Sequence, residues 1–117
     1  MDTTTATFER DVIERSHEIP VVVDFWAAWC GPCRMLGPAI EAEVAKRDGR
    51  IELAKLDVEA EQTIAARYGI QSIPTVAVFR DGTPVTGFVG AYPAAAIGGF
   101  LDETIDAHGQ EAQAASA

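Results

Sequence analysis

Val21-Val22-Val23-Asp24-Phe25-Trp26 runs through Ala27-Ala28 into Trp29-Cys30-Gly31-Pro32-Cys33, and this stretch decides the fold. Its first half is an apolar, β-branched run of the kind that forms a strand buried on both faces. After the cysteines, Leu36, Ile40 and Val44 recur every four residues, as on the buried stripe of a helix. Pro38 lies inside that stripe and predicts a kink. The cysteine pair therefore sits where a buried strand ends and a helix begins. Unpaired backbone N–H groups and the helix dipole at such a terminus favour a thiolate at Cys30. Cys33 lies one turn on, on the same helical face, within reach of Cys30. Gly31 and Pro32 shape the turn between them, and Pro32 brings no N–H to be left unpaired.

A Cys-x-x-Cys pair can bind metal, form a structural bridge, or cycle between dithiol and disulfide. A closed zinc site needs about four ligands. Beyond the cysteines the chain offers His17 and His108, neither in a ligand-like spacing. No metal and no cofactor are expected. A bridge across three positions closes a tiny loop and removes little unfolded-state entropy. Redox chemistry is the reading that remains.

Working outward, the elements alternate. Phe8, Val12 and Ile13 share a helical face after threonines suited to an N-cap. Ile51 to Asp57 reads as a strand with Ile51, Leu53 and Lys55 on one face. A short helix holds Ile64, Ala65 and Tyr68, and Gly69 ends it as a left-handed residue. Thr75 to Arg80 is a strand, Asp81-Gly82 a two-residue hairpin turn, and Val85 to Val89 the return strand. Pro93 suits the first turn of a last helix with the buried stripe Ile97, Leu101 and Ile105. Gly98 and Gly99 interrupt that helix, each costing roughly 1 kcal/mol relative to Ala, so it is expected to be the least stable helix. A parallel βαβ half joined to an antiparallel half gives an α/β fold with a mixed sheet and helices on both faces.

The 117 residues suffice for one domain, expected over residues 1–107, with 108–117 a polar C-terminal tail. The formal charge of −9 argues against nucleic acid and against an anionic membrane surface. No stretch reads as a membrane span or a secretory signal, so a cytoplasmic location is expected.

Residues 23–34, Val-Asp-Phe-Trp-Ala-Ala-Trp-Cys-Gly-Pro-Cys-Arg, resemble the signature of the thioredoxin family. Lys55-Leu56-Asp57, the run from Tyr68 to Thr75, Phe79-Arg80-Asp81-Gly82 and Val89-Gly90-Ala91 are similar to further family segments, in order, over about residues 8 to 107. The resemblance implies a thioredoxin fold, with a four- or five-stranded mixed sheet flanked by four helices. It implies a protein-disulfide reductase in which Cys30 attacks a target disulfide and Cys33 resolves the mixed disulfide. It implies Asp24 as proton acceptor or relay for Cys33, with Lys55 as charge partner. A carboxylate in an apolar strand is costly without a partner or a proton, and burial raises its pKa.

The family holds the bond before the proline matching Pro74 cis. Trp29, Ile73, Pro74, Gly90 and Ala91 would then form the substrate-binding patch. Disulfide-containing proteins are the implied substrates and a thioredoxin reductase the implied electron donor, with a monomer expected. Trp26 is expected to pack, and Phe25, Phe79 and Phe88 to be core. Thioredoxin-like oxidases and isomerases tend to carry histidine where Pro32 stands, and a purely binding module needs neither cysteine. One departure from the family is the threonine-rich start, which predicts a missing or stunted first strand.

Overall fold

β-Branched and apolar residues between positions 21 and 89 build a sheet with two inner strands. β1 (Val21–Trp26) pairs in parallel with β2 (Glu52–Asp57) and antiparallel with β3 (Thr75–Arg80), and β4 (Thr83–Val89) closes the order β2-β1-β3-β4. The structure, a computed structural model, describes residues 1–116, with side-chain detail through Gly109. Flanking the sheet are an N-terminal helical segment (Glu9–Glu14, continuing through Arg15–His17), α1 (Gly31–Ala45), α2 (Gln62–Arg67) and α3 (Ala94–Ser116). This is the mixed four-stranded form of the thioredoxin fold, with four helices on two faces. No helix among the described residues is long and apolar enough to cross a membrane.

Strand alternation sorts the core into two layers. Val21, Val23 and Phe25 join Phe8, Val12, Ala54, Leu56, Ile64 and Phe79 on one face. Val22 joins Leu36, Ile40, Leu53, Val76, Val78, Phe88, Ile97 and Leu101 on the other, beneath α1 and α3. The period of two therefore puts Asp24, like Val22, on the face that α1 covers. Phe25, Phe79 and Phe88 are buried, as their sequence context predicts.

The threonine-rich start forms no full strand. Asp2 makes one parallel bridge to Lys55, Thr3 N–H donates to Lys55 O, and Lys55 N–H donates to Met1 O. This stunted piece lies along β2, the outer strand on that side. Thr4 and Thr7 then cap the first helical segment, each backbone N–H donating to the other's hydroxyl. Between β3 and β4, Asp81 at φ 52° and Gly82 at φ 83° make the left-handed pair that a two-residue hairpin needs. Pairing begins at once, at Arg80–Thr83, so the return strand starts at Thr83 rather than Val85. Gly69, at φ 63°, closes α2 as expected. Helix α1 continues through Pro38. Helix α3 continues through both glycines and on to Ser116, so the segment expected as a polar tail has a helical backbone as far as the described residues reach. Its side chains from Gln110 onward, and all of Ala117, lie outside them.

Candidate active site

The strand-to-helix junction places the two sulfurs as the sequence predicts. Cys30 is the N-cap of α1, with extended backbone at φ −85° and ψ 110°, while Gly31, Pro32 and Cys33 form its first turn. The Cys33 N–H donates to Cys30 Sγ at 3.2 Å. Cys30 thus occupies the place of a capping Ser or Asp, where an anionic sulfur would be stabilised by an unpaired backbone donor and the helix dipole. The two cysteines are joined as a disulfide, with their Cα atoms 5.3 Å apart.

Two loops bring the remaining residues to this point. The Ile73–Pro74 bond is cis, and Ile73 O lies 3.9 Å from Cys30 Sγ. The Gly90 N–H donates to Pro74 O at 2.8 Å, and Gly90 adopts φ 101°, a conformation that favours glycine. That bond ties the loop holding Gly90 and Ala91 to the one holding Ile73 and Pro74. Trp29 is 64% exposed beside the disulfide, and its indole N–H donates to Glu59. Val89 and Tyr92, flanking Gly90-Ala91, are exposed as well.

Asp24, on the face of β1 that α1 covers, has 0% exposure. Neither carboxylate oxygen has a hydrogen-bond partner among the described residues. Burial pushes its pKa up from 3.8 to about 6; the Lys55 charge opposes the rise and the Glu41 charge adds to it. Lys55 is the parallel-strand neighbour of Asp24 in register. Its ion pair, however, is with Glu41, Nζ to Oε1 at 2.9 Å, and its ammonium lies 5.3 Å from the centre of the Trp26 ring. Lys55 therefore acts on Asp24 through space and makes its direct bond elsewhere.

Sequence reasoning missed Glu41, Gly37 and Glu59. A signal for the first two was present: Cys33, Gly37 and Glu41 are spaced four apart and share one face of α1. Glu59 pairs with Trp29 across a loop, and no spacing in the sequence announces it.

A sequence model of the family described as Thioredoxin matches residues 1–103. The chain is 42% identical over 100 residues to Thioredoxin 1 of Synechococcus elongatus, covering 86% of this chain and 92% of that protein. It is 48% identical over 94 residues to Thioredoxin of Streptomyces clavuligerus, covering 80% and 85%. With Thioredoxin of Pseudomonas aeruginosa the identity is 36% over 105 residues, covering 90% and 95%.

Proposed function

The chain belongs to the thioredoxin family and is a thiol–disulfide oxidoreductase that reduces protein disulfides through Cys30 and Cys33; on that premise we propose which of its other residues serve the reaction. In the established part, the Cys30 thiolate attacks a target disulfide. One target sulfur leaves as a thiolate and takes a proton, and a mixed disulfide joins Cys30 to the other. Cys33 then attacks Cys30 Sγ, the bond from Cys30 to the target breaks, and the second target thiolate leaves. Two electrons pass to the target, and Cys30–Cys33 ends as a disulfide.

For the second attack Cys33 must lose its proton in a buried place. We assign Asp24 as the acceptor. The observation that carries this is its carboxylate, wholly buried on the strand face that α1 covers and without a hydrogen-bond partner among the described residues. A buried acid with no structural bond to make has no stabilising role, and a raised pKa suits proton exchange near neutrality. Lys55 supplies the neighbouring positive charge. Trp29, Ile73, Pro74, Gly90 and Ala91 form the docking surface for the target's chain around its cystine. Gly31 and Pro32 hold the turn.

The wider assignments belong to the same proposal. The folded domain spans residues 1–107, with 108–117 as an appendage. The protein works as a monomer in the cytoplasm, carrying electrons from a thioredoxin reductase to its targets. The absence of a histidine between the cysteines supports a reducing role.

Insulin reduction with NADPH and a reductase tests the core of this. Wild type is expected to be active, and Cys33→Ser to accumulate a mixed disulfide through Cys30. Trapping through Cys33 in Cys30→Ser instead would reverse the roles. Asp24→Asn is expected to slow resolution about 10-fold or more, the low end of what a general base contributes. Unchanged resolution would remove Asp24 from the mechanism.

A further inference from the structure

Lys55 and Asp24 stand side by side on adjacent strands, facing the same way. Neighbouring strands lie about 4.8 Å apart, so a lysine there can reach its neighbour's carboxylate. It does not. The side chain runs beneath α1 to Glu41, which it meets at 2.9 Å, while both Asp24 oxygens have no hydrogen-bond partner among the described residues. The ammonium passes close under the helix at Gly37, where a Cβ would lie in ordinary contact, 3.5 Å from Lys55 Nζ. The ring of Trp26 lies along the same route, 5.3 Å from Nζ.

The physical reason for this choice is solvation. Glu41 has a half-exposed side chain, so the pair it forms keeps both charges partly in water. Direct contact with Asp24 would draw the ammonium into the interior, at a desolvation cost that the attraction need not recover. The charges acting on Asp24 are Lys55 from β2 and Glu41 from α1. From β3 the register partner of Asp24 is Val76, which carries no charge.

We propose that Glu41 is a positioning residue for the proton step: it anchors the Lys55 ammonium at the solvent side of the space beneath α1, and so keeps Asp24 out of a direct ion pair and free to take the proton of Cys33. The inference rests on the reading of Asp24 as that acceptor. It separates two effects of Glu41, its own negative charge and its hold on Lys55. Both favour the protonated form of Asp24, but only the second requires the lysine.

The test is a carboxyl NMR titration of Asp24 in the oxidised protein, where neither cysteine titrates. It compares wild type, Glu41→Gln, Lys55→Met and the double variant. Glu41→Gln is expected to lower the Asp24 midpoint by about 1 unit, the low end for a carboxylate gaining a close cation. Lys55→Met is expected to raise it. In the Lys55→Met background, Glu41→Gln should retain less than half of its effect. An unmoved midpoint in Glu41→Gln, or an equal step with and without Lys55, would overturn the proposal and leave the Asp24 reading intact. The pH profile of mixed-disulfide resolution supplies the other arm, and its acid limb is expected to follow the NMR midpoint. If the midpoint moves and the rate profile does not, Asp24 is not the acceptor, and Glu41's part in the proton step falls with it.

Discussion

Asp24, on β1, and Arg47, just past the end of α1, are two buried charged side chains, and the fold treats them in opposite ways. Arg47, just past the helix end, is fully engaged. Its guanidinium donates to Asp102 at 3.0 Å, to Glu43 O at 2.6 Å, to Glu43 Oε1 at 3.2 Å and to Gly98 O at 3.1 Å, pinning α1 to α3. Lys46, with Arg47 adding to it, holds the Glu43 carboxyl below the usual carboxylate range. The Asp24 carboxylate, on the sheet, has no hydrogen-bond partner among the described residues, and its pKa is pushed the other way. A satisfied network is what a structural charge looks like. An orphaned carboxylate persists at a cost in stability, which makes sense where the group must exchange a proton.

The sharpest way to break this contrast is to remove each charge and watch stability against pH. For Asp24 the folded pKa lies above the unfolded one, so the native state holds more protons between about pH 4 and 6. Stability is lost as pH rises through that window, and above it the penalty is complete. The rise from 3.8 to about 6 corresponds to about 3 kcal/mol. Asp24→Asn is therefore expected to stabilise the oxidised protein by up to about 3 kcal/mol at pH 8. The gain should vanish below pH 4 in urea melts. A gain of equal size at pH 4 and pH 8 would mean that burial of the charge is not its cause.

Arg47→Met should do the reverse. It leaves Gly98 O without its side-chain donor and takes two hydrogen bonds from Glu43. A loss of about 2 kcal/mol is expected, the scale of a buried polar group stripped of its partner. Arg47 stays charged throughout the pH range, so the loss should persist wherever Glu43 is ionised. A neutral outcome would show that the α1–α3 contact is held by Ile97 and Leu101 alone.

The sequence made one of these two regions legible and hid the other. Asp24 announces itself, because a lone carboxylate in Val21-Val22-Val23-Asp24-Phe25 breaks a local pattern. Cys30, Cys33 and the hairpin at Asp81-Gly82 are legible for the same reason: their chemistry lies within a few residues. Strand and helix stripes are read from periodicity, which is also local. Arg47, Asp102 and Gly98 are separated by about fifty residues, and no short pattern links them. Likewise the family resemblance implies Lys55 as the charge partner of Asp24, whereas the ion pair of Lys55 is with Glu41. The preference for Glu41 depends on solvent exposure, which only the packed helix reveals.

The paired glycines of α3 test that lesson on the smallest scale. Sequence assigns Gly98 and Gly99 the same cost, since helix propensity sees only the residue type. The packed structure separates them. A Cβ at Gly98 would lie 3.0 Å from Glu43 Oε1 and 3.2 Å from Arg47 Nη2, while at Gly99 it would meet nothing within 4 Å. Gly99→Ala should therefore show the intrinsic gain, about 0.8 kcal/mol in a thermal or urea melt. Gly98→Ala should not, because the same gain is offset by displacing a guanidinium held by several hydrogen bonds. In an Arg47→Met background that guanidinium is gone, and Gly98→Ala should recover part of the gain while Gly99→Ala is unchanged. Equal effects at the two glycines in the wild-type background would mean that the Glu43–Arg47 network yields freely, and with it would go the reading of Arg47 as a rigid structural charge.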